Sequence, residues 1–350
     1  MAAEPSNERI KTVLSWSSGK DCSYALHVLR TDPAFSAKYD VRGLLSTVNE
    51  SVSPNRVAMH GTRDNLVRLQ AKHCSLPNQP LELHLVPLPS PCPNAVYEER
   101  MGAAVARLKA SGAGAMAFGD IFLQDVRAYR EEKMKGTGLE CLFPLWPKGH
   151  DTAALAREMI AAGLRATLVC VDPRRLPGSL AGRTFDASLL EDLDKLRRAE
   201  AEKAKEKKGE GEEEEDGGGK EEAAASTALP KPPGPPPPID DCGENGEFHT
   251  FAWAGPAFVA GPIDIDVAPE AVELNGFYFC DVALKGEMTP DAFRAAAKAA
   301  KEQAAKNAEA MAKARAENEC PVQTVAREKE KEKEKEAEAA KGGGCGGGGD

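Results

Sequence analysis

The stretch KTVLSWSSGKDCSYALHVL packs Ser15, Ser17, Ser18, Gly19, Lys20, Asp21 and Cys22 between two apolar runs. A plain turn needs one or two small polar residues, so the surplus asks for a chemical reason. A strand-like run precedes it, and Ala25, Leu26 and Leu29 fall on one helical face after it. The loop therefore opens a helix whose first N–H groups lack partners and whose dipole is positive at that end. Small residues let backbone approach an anion closely, and Lys20 adds a movable positive charge. This is phosphate-binding chemistry. The Walker A spacing G-x-x-x-x-G-K-[ST] is excluded, because Gly19 stands alone and Asp21 follows the lysine.

Further candidates lie far along the chain. Gly119 and Asp120 follow a predicted strand, where open sheets present functional residues. A turn with an N-capping aspartate is the other reading. His60, in RVAMHGTRDN, is either a ligand contact or a solvent-exposed loop histidine. Arg183 and Asp186 read as an ion pair or as substrate contacts, and Pro144, Leu145 and Trp146 read as packing or as the wall of a substrate cleft. The segment CGENGEFHT gathers Glu244, Glu247 and His249 around two turn-forming glycines, Gly243 and Gly246. Carboxylates and an imidazole so close suit proton transfer, although a solvated acidic turn has the same composition.

These residues need a frame. Strand-like runs at Thr12–Ser15, Val41–Thr47, Leu81–Val86, Ala115–Phe118 and Ala166–Val171 alternate with helical patterns. Met101, Ala104, Val105 and Leu108 mark one helix; Leu155, Ala156, Met159 and Ile160 mark another. Such alternation predicts an α/β fold with a doubly wound parallel sheet, helices on both faces and ligands beyond the strand ends. From 194 to 238 a charge block, a glycine run and a polyproline run predict a disordered insert. Strand-like pieces resume and end near FYFCDVAL at 277–284; Thr289 and Pro290 then start an Ala/Lys/Glu helix that fades into a glycine-rich tail.

Among 350 residues, 45 are Lys or Arg and 55 are Asp or Glu, a formal charge of −10, which argues against a nucleic-acid partner. No run approaches the ~18 apolar residues of a membrane span. The nine cysteines form no C-x-x-C pair and suit a reducing compartment. The expectation is a soluble cytoplasmic protein.

Taken together, the motifs resemble a known family. SSGKDC at Ser17–Cys22 is similar to the SGGKDS loop of the PP-loop, or N-type, ATP pyrophosphatases, with Ser18 in place of a glycine and Cys22 in place of a serine. Ser18 fits that loop if its backbone angles are ordinary. AFGDIFLQDVRAYREEKM, GLECLFPLWPKGHD, LAGRTFDASLLEDL and CGENGEFHTF follow in order. With the loop they resemble the diphthine–ammonia ligase (diphthamide synthase) group of that superfamily.

The resemblance implies a Rossmann-like ATP-binding domain over 12–135, after an extension at 1–11. It implies a family-specific α/β domain over 136–193 and 239–288, and leaves 289–350 as helix and tail. The implied reaction adenylates a carboxylate with ATP, releases pyrophosphate and lets ammonia displace AMP. Ser15, Ser17, Ser18, Gly19, Lys20, Asp21, Cys22, His60, Gly119 and Asp120 would bind the nucleotide. Asp21 or Asp120 would hold Mg²⁺, and Lys20 would stabilise the departing pyrophosphate. Glu244, Glu247 and His249 would handle ammonia and its proton, completing a catalytic set with Lys20 and Asp21. The implied acceptor is the diphthine of translation elongation factor 2. The family's segment reads closer to EGGEYET than to CGENGEFHT, so a small carboxylate such as a cobalamin precursor is the alternative. A non-catalytic adenine-nucleotide module is a further one.

Overall fold

In the computed structural model, residues 8–50, 56–57, 60–90, 92–209 and 237–318 are described. Contacts divide the chain into two compact units, Met1–Ala299 and Ala300–Asp350. All the candidate residues belong to the first. Its helices are α1 (Lys20–Thr31), α2 (Pro33–Ser36), α3 (Asp64–His73), α4 (Asn94–Ala110), α5 (Gln124–Met134), α6 (Thr152–Ala161) and α7 (Ala187–Gly209), and α8 (Pro290–Asn318) starts within it. The second unit, so far as it is described, is the remainder of α8.

The first sheet contains β1 (Ile10–Ser15), β2 (Tyr39–Asn49), β3 (Arg56–Val57), β4 (Glu82–Leu88), β5 (Ala115–Ala117) and β6 (Glu140–Leu142). Its order is β3-β2-β1-β5-β6, with β4 also paired to β2, and only β3 runs antiparallel. Alternate residues face opposite layers. Leu14, Leu44 and Ala117 join a core with Ala25, Leu26 and Leu29 of α1 and Leu155, Ala156 and Met159 of α6. Val13, Leu45 and Met116 face the other way, against Ala104, Val105 and Leu108 of α4. Both faces are therefore covered. β1 lies between β2 and β5, so the sheet order reverses at β1, and the Trp16–Gly19 loop leaves the carboxyl end of β1 at that reversal.

A separate antiparallel sheet has the order β10 (Val272–Leu274), β11 (Phe277–Phe279), β7 (Arg165–Val171), β8 (Phe248–Ala254); β9 (Ile265–Val267) and β12 (Val282–Leu284) form a two-stranded ribbon. Here the structure corrects the expectation for Ala166–Val171, which does not continue the parallel series. A continuous apolar run specifies a strand buried on both faces but not its partner. That partner, β8, returns from beyond residue 237 and pairs Cys170 with His249.

The expected boundary at residue 194 also moves. α7 continues to Gly209, so 194–209 is helical, and Leu189 and Leu193 are fully buried in the first core. Residues 210–236 of the expected insert, the tail from 319 and positions 1–7 lie outside the described residues. Thr289 caps α8 as expected, its Oγ1 accepting from the Ala292 N–H at 3.2 Å.

Candidate active site

Gly19 is the N-cap of α1 and supplies no side chain to the orphan N–H groups. A distant residue does so instead: Thr250 of β8 accepts from the Lys20 N–H through Oγ1 at 3.0 Å. β8 also receives the loop directly, with the Ala252 N–H donating to the Ser18 carbonyl at 2.9 Å. Segments more than 220 residues apart thus form one structure around the start of α1.

Ser18 does not have ordinary backbone angles. Its φ is +73°, in the left-handed region that costs a non-glycine residue about 1–2 kcal/mol. The side chain is fully buried and bonds Thr62 Oγ1 at 3.1 Å, one compensation for that strain. Gln70 supplies another. Also fully buried, it donates from Nε2 to the carbonyls of Ser18 (3.0 Å) and Ala252 (2.6 Å) and accepts from Trp16 Nε1 at 2.8 Å. Sequence reading missed Gln70, which lies inside a helix with no motif around it.

Lys20 is 2 % exposed. Its ammonium contacts both carboxylate oxygens of Asp21 (2.8 and 2.9 Å), donates to the Cys242 carbonyl, and lies 5.6 and 5.5 Å from the ring centres of Phe185 and Phe248. Burial works against its charge, but Asp21, Cys242 and Glu244 outweigh it and raise the pKa, so Lys20 stays protonated. Ser15 closes β1 and is half-buried. Ser17 donates to Cys22 Sγ at 3.6 Å, and that thiol turns back to the Gly19 carbonyl at 3.2 Å. Burial pushes the Cys22 thiol up to about 11, so it is a neutral donor.

The Asp240–Glu247 loop folds through Gly243 (φ +74°) and Gly246 (φ +83°), the conformations that glycine supplies. Glu247 is fully buried, and its two oxygens accept from the N–H groups of Asp240 (2.9 Å) and Asn245 (3.0 Å). Its carboxylate is spent on shaping this loop, not aimed at a reacting group. Glu244 differs: among the described residues its carboxyl has no hydrogen-bond partner. Burial raises its pKa to about 8; Asp21, Asp240 and Asp120 push in the same direction and Lys20 opposes them. The group is largely protonated at pH 7.

His249 and His60 meet face to face, ring centres 4.8 Å apart and tilted by 34°. His60 is half-buried rather than solvent-exposed, and its Nδ1 lies 2.9 Å from the Thr250 carbonyl. A Cβ on Gly19 would lie 3.0 Å from His60 Cε1 and 3.3 Å from the Thr250 carbonyl oxygen, so the imidazole packs closely over this glycine. Burial lowers the pKa of both rings, His60 to about 3 with help from His249, and His249 to about 4 with help from Lys20.

Gly119 serves by close approach, since a Cβ there would lie 3.0 Å from the Cys22 nitrogen. Asp120 does not cap α5, whose N-cap is Leu123; it pairs with Arg130 at 3.2 Å. Arg183 pairs with Asp192, while Asp186 accepts from the Leu189 N–H, so those two do not pair with each other.

Among the described residues no cluster of three or more ligating side chains forms a metal cage. A Mg²⁺ carried on a nucleotide needs only one or two carboxylates, but here both Asp21 oxygens meet Lys20 and Asp120 pairs with Arg130, so either would have to give up part of its ion pair to hold one.

Fold and site together define an α/β protein with a mostly parallel sheet and a buried, carboxylate-paired lysine at the reversal of its strand order. No protein-family model matches the chain, and no curated protein matches it significantly. Among the described residues no helix is long and apolar enough to cross a membrane.

Proposed function

We propose that this protein is an ATP-dependent carboxylate–ammonia ligase with a Rossmann-like, doubly wound PP-loop domain, acting in the cytoplasm on the diphthine of translation elongation factor 2. One observation carries the reading. Lys20, at the start of α1, is joined by the Cys242 carbonyl and sensed by Glu244, so the glycine-lysine loop and the acidic segment form one site.

In the proposed reaction an acceptor carboxylate oxygen attacks the α-phosphorus of ATP, and the α–β bond breaks. The charge that develops on pyrophosphate falls to Lys20, which exchanges the Cys242 carbonyl for phosphate oxygens. The buried N-terminus of α1 adds its dipole. Mg²⁺, held by Asp21 or Asp120, would neutralise phosphate charge. Ammonia then attacks the acyl carbon, AMP leaves, and the amide forms with loss of a proton. Glu244, titrating near 8, is better matched to an amine's proton than an ordinary carboxylate is. His249, its pKa lowered to about 4, stays neutral over the working range and is too weak a base to keep that proton, so it is assigned a packing contact with His60 rather than proton transfer.

The sequence CGENGEFHT, rather than EGGEYET, favours a second reading: the same chemistry on a small carboxylate. Incubation with ATP, Mg²⁺ and ammonium, with and without diphthine-bearing elongation factor 2, separates the two. AMP formed only with that factor supports the protein acceptor; AMP formed with a small carboxylate supports the alternative. ATP binding without AMP under any acceptor overturns both and leaves a nucleotide-binding module. Lys20→Ala is expected to lower AMP formation at least about 100-fold, the scale of losing one charge-stabilising donor. Unchanged turnover would remove Lys20 from the reaction.

A further inference from the structure

The backbone that meets Lys20 is held from behind. Arg197 sits on α7, which Leu189 and Leu193 anchor in the core. Its Nε donates to the Ile239 carbonyl at 2.9 Å, and its Nη2 donates to the Asp241 carboxylate. Asp241 is itself buried. One guanidinium thus grips the residues on both sides of Asp240.

Asp240 carries that hold forward, because its Oδ1 accepts from the Cys242 N–H at 2.8 Å and from the Glu244 N–H at 3.2 Å. The next group along is the Cys242 carbonyl, which accepts from Lys20 Nζ. Upstream, Arg175 donates to the Pro237 carbonyl and lies 3.7 Å from Glu247. The guanidinium reaches the carbonyl and the carboxylate from two different nitrogens, Nε and Nη2, in one rigid plane, whereas a lysine would have to serve both from a single ammonium. Arg198, the next residue on α7, pairs only with Asp194 among the described residues and is 75 % exposed.

We infer that Arg197 is a positioning residue: by fixing Ile239 and Asp241 it sets the Cys242 carbonyl on the Lys20 ammonium and holds that lysine closed until phosphate replaces the carbonyl. The catalytic consequence rests on the ligase reading; the hold on Lys20 does not.

Acylation of Lys20 in the nucleotide-free protein, followed by mass spectrometry and normalised to the exposed Lys195, tests the hold. Arg197→Ala is expected to raise the Lys20 labelling rate about tenfold, as a locally opened segment exposes the amine. Arg197→Lys keeps the charge facing Asp241 but not both arms, and falls between the two. Asp241→Ala removes the acceptor from the other side and shows the same rise, which carries the test if Arg197→Ala does not fold. Arg198→Ala labels as wild type. Unchanged labelling in Arg197→Ala or Asp241→Ala, or an equal rise in Arg198→Ala, overturns the inference. A protein that shows the rise yet makes no AMP keeps the hold and loses the ligase; AMP with unchanged labelling does the reverse.

Discussion

Ser18 concentrates the tension of the site in one residue. Its φ of +73° suits glycine, yet the side chain bonds Thr62 and is buried. Replacement by glycine would relieve about 1–2 kcal/mol of backbone strain. It would also lose a hydrogen bond worth about 0.5–1.5 kcal/mol and free the unfolded chain by a similar amount. These terms nearly cancel, so Ser18→Gly is expected to shift stability by less than about 1 kcal/mol. Ser18→Val has no such cancellation: a branched residue at positive φ adds strain, and its methyls enter a packed site, for a loss of at least about 3 kcal/mol. Urea unfolding of both variants checks this, and equal midpoints would contradict it. The loop's small residues and Lys20 were legible because their meaning is local. The left-handed backbone at Ser18 was not, because serine does not announce it; the resemblance marked the position but not the strain.

At the level of elements, hydrophobic periodicity placed strands at residues now in β1, β2, β4, β5 and β7, and three of the helices, α1, α4 and α6. It could not say that β7 leaves the parallel sheet, since a strand buried on both faces reads alike in either setting. Nor could it place Thr250 on the start of α1, a pairing across 230 residues. Gln70 ties three of these pieces together: α3, the loop after β1 and β8. Gln70→Leu keeps the volume but leaves the Trp16 indole N–H unpaired in a dry interior and takes a donor from the carbonyls of Ser18, which keeps the Ala252 N–H, and Ala252. Each buried group left unpaired costs about 1–3 kcal/mol. A loss of about 2 kcal/mol is expected, with Trp16 fluorescence shifted as its partner disappears. A variant as stable as wild type would mean that the three elements are held without Gln70.

Across the whole molecule, the site's unusual protonation states set how stability follows pH. His60 and His249 titrate near 3 and 4 in the fold but near 6.5 when unfolded. Between about 4 and 6.5 the unfolded chain binds these protons and the folded chain refuses them. Stability from the two histidines is therefore full above 6.5 and is lost as pH falls toward 4. Glu244 has the opposite sign. It holds its proton up to about 8 in the fold and releases it near 4.5 when unfolded, so its contribution is full below 4.5 and lost as pH rises through 8. His249→Gln removes one of the two histidine protons, reducing the slope of stability against pH by up to ~1.4 kcal/mol per unit below 6.5. Glu244→Gln instead flattens the decline between about 6.5 and 8. Urea midpoints of the three proteins from pH 4 to 8 read both slopes. If His249→Gln runs parallel to wild type below 6.5, the fold does not hold the imidazole near Lys20 neutral, and burial is not what sets its proton affinity.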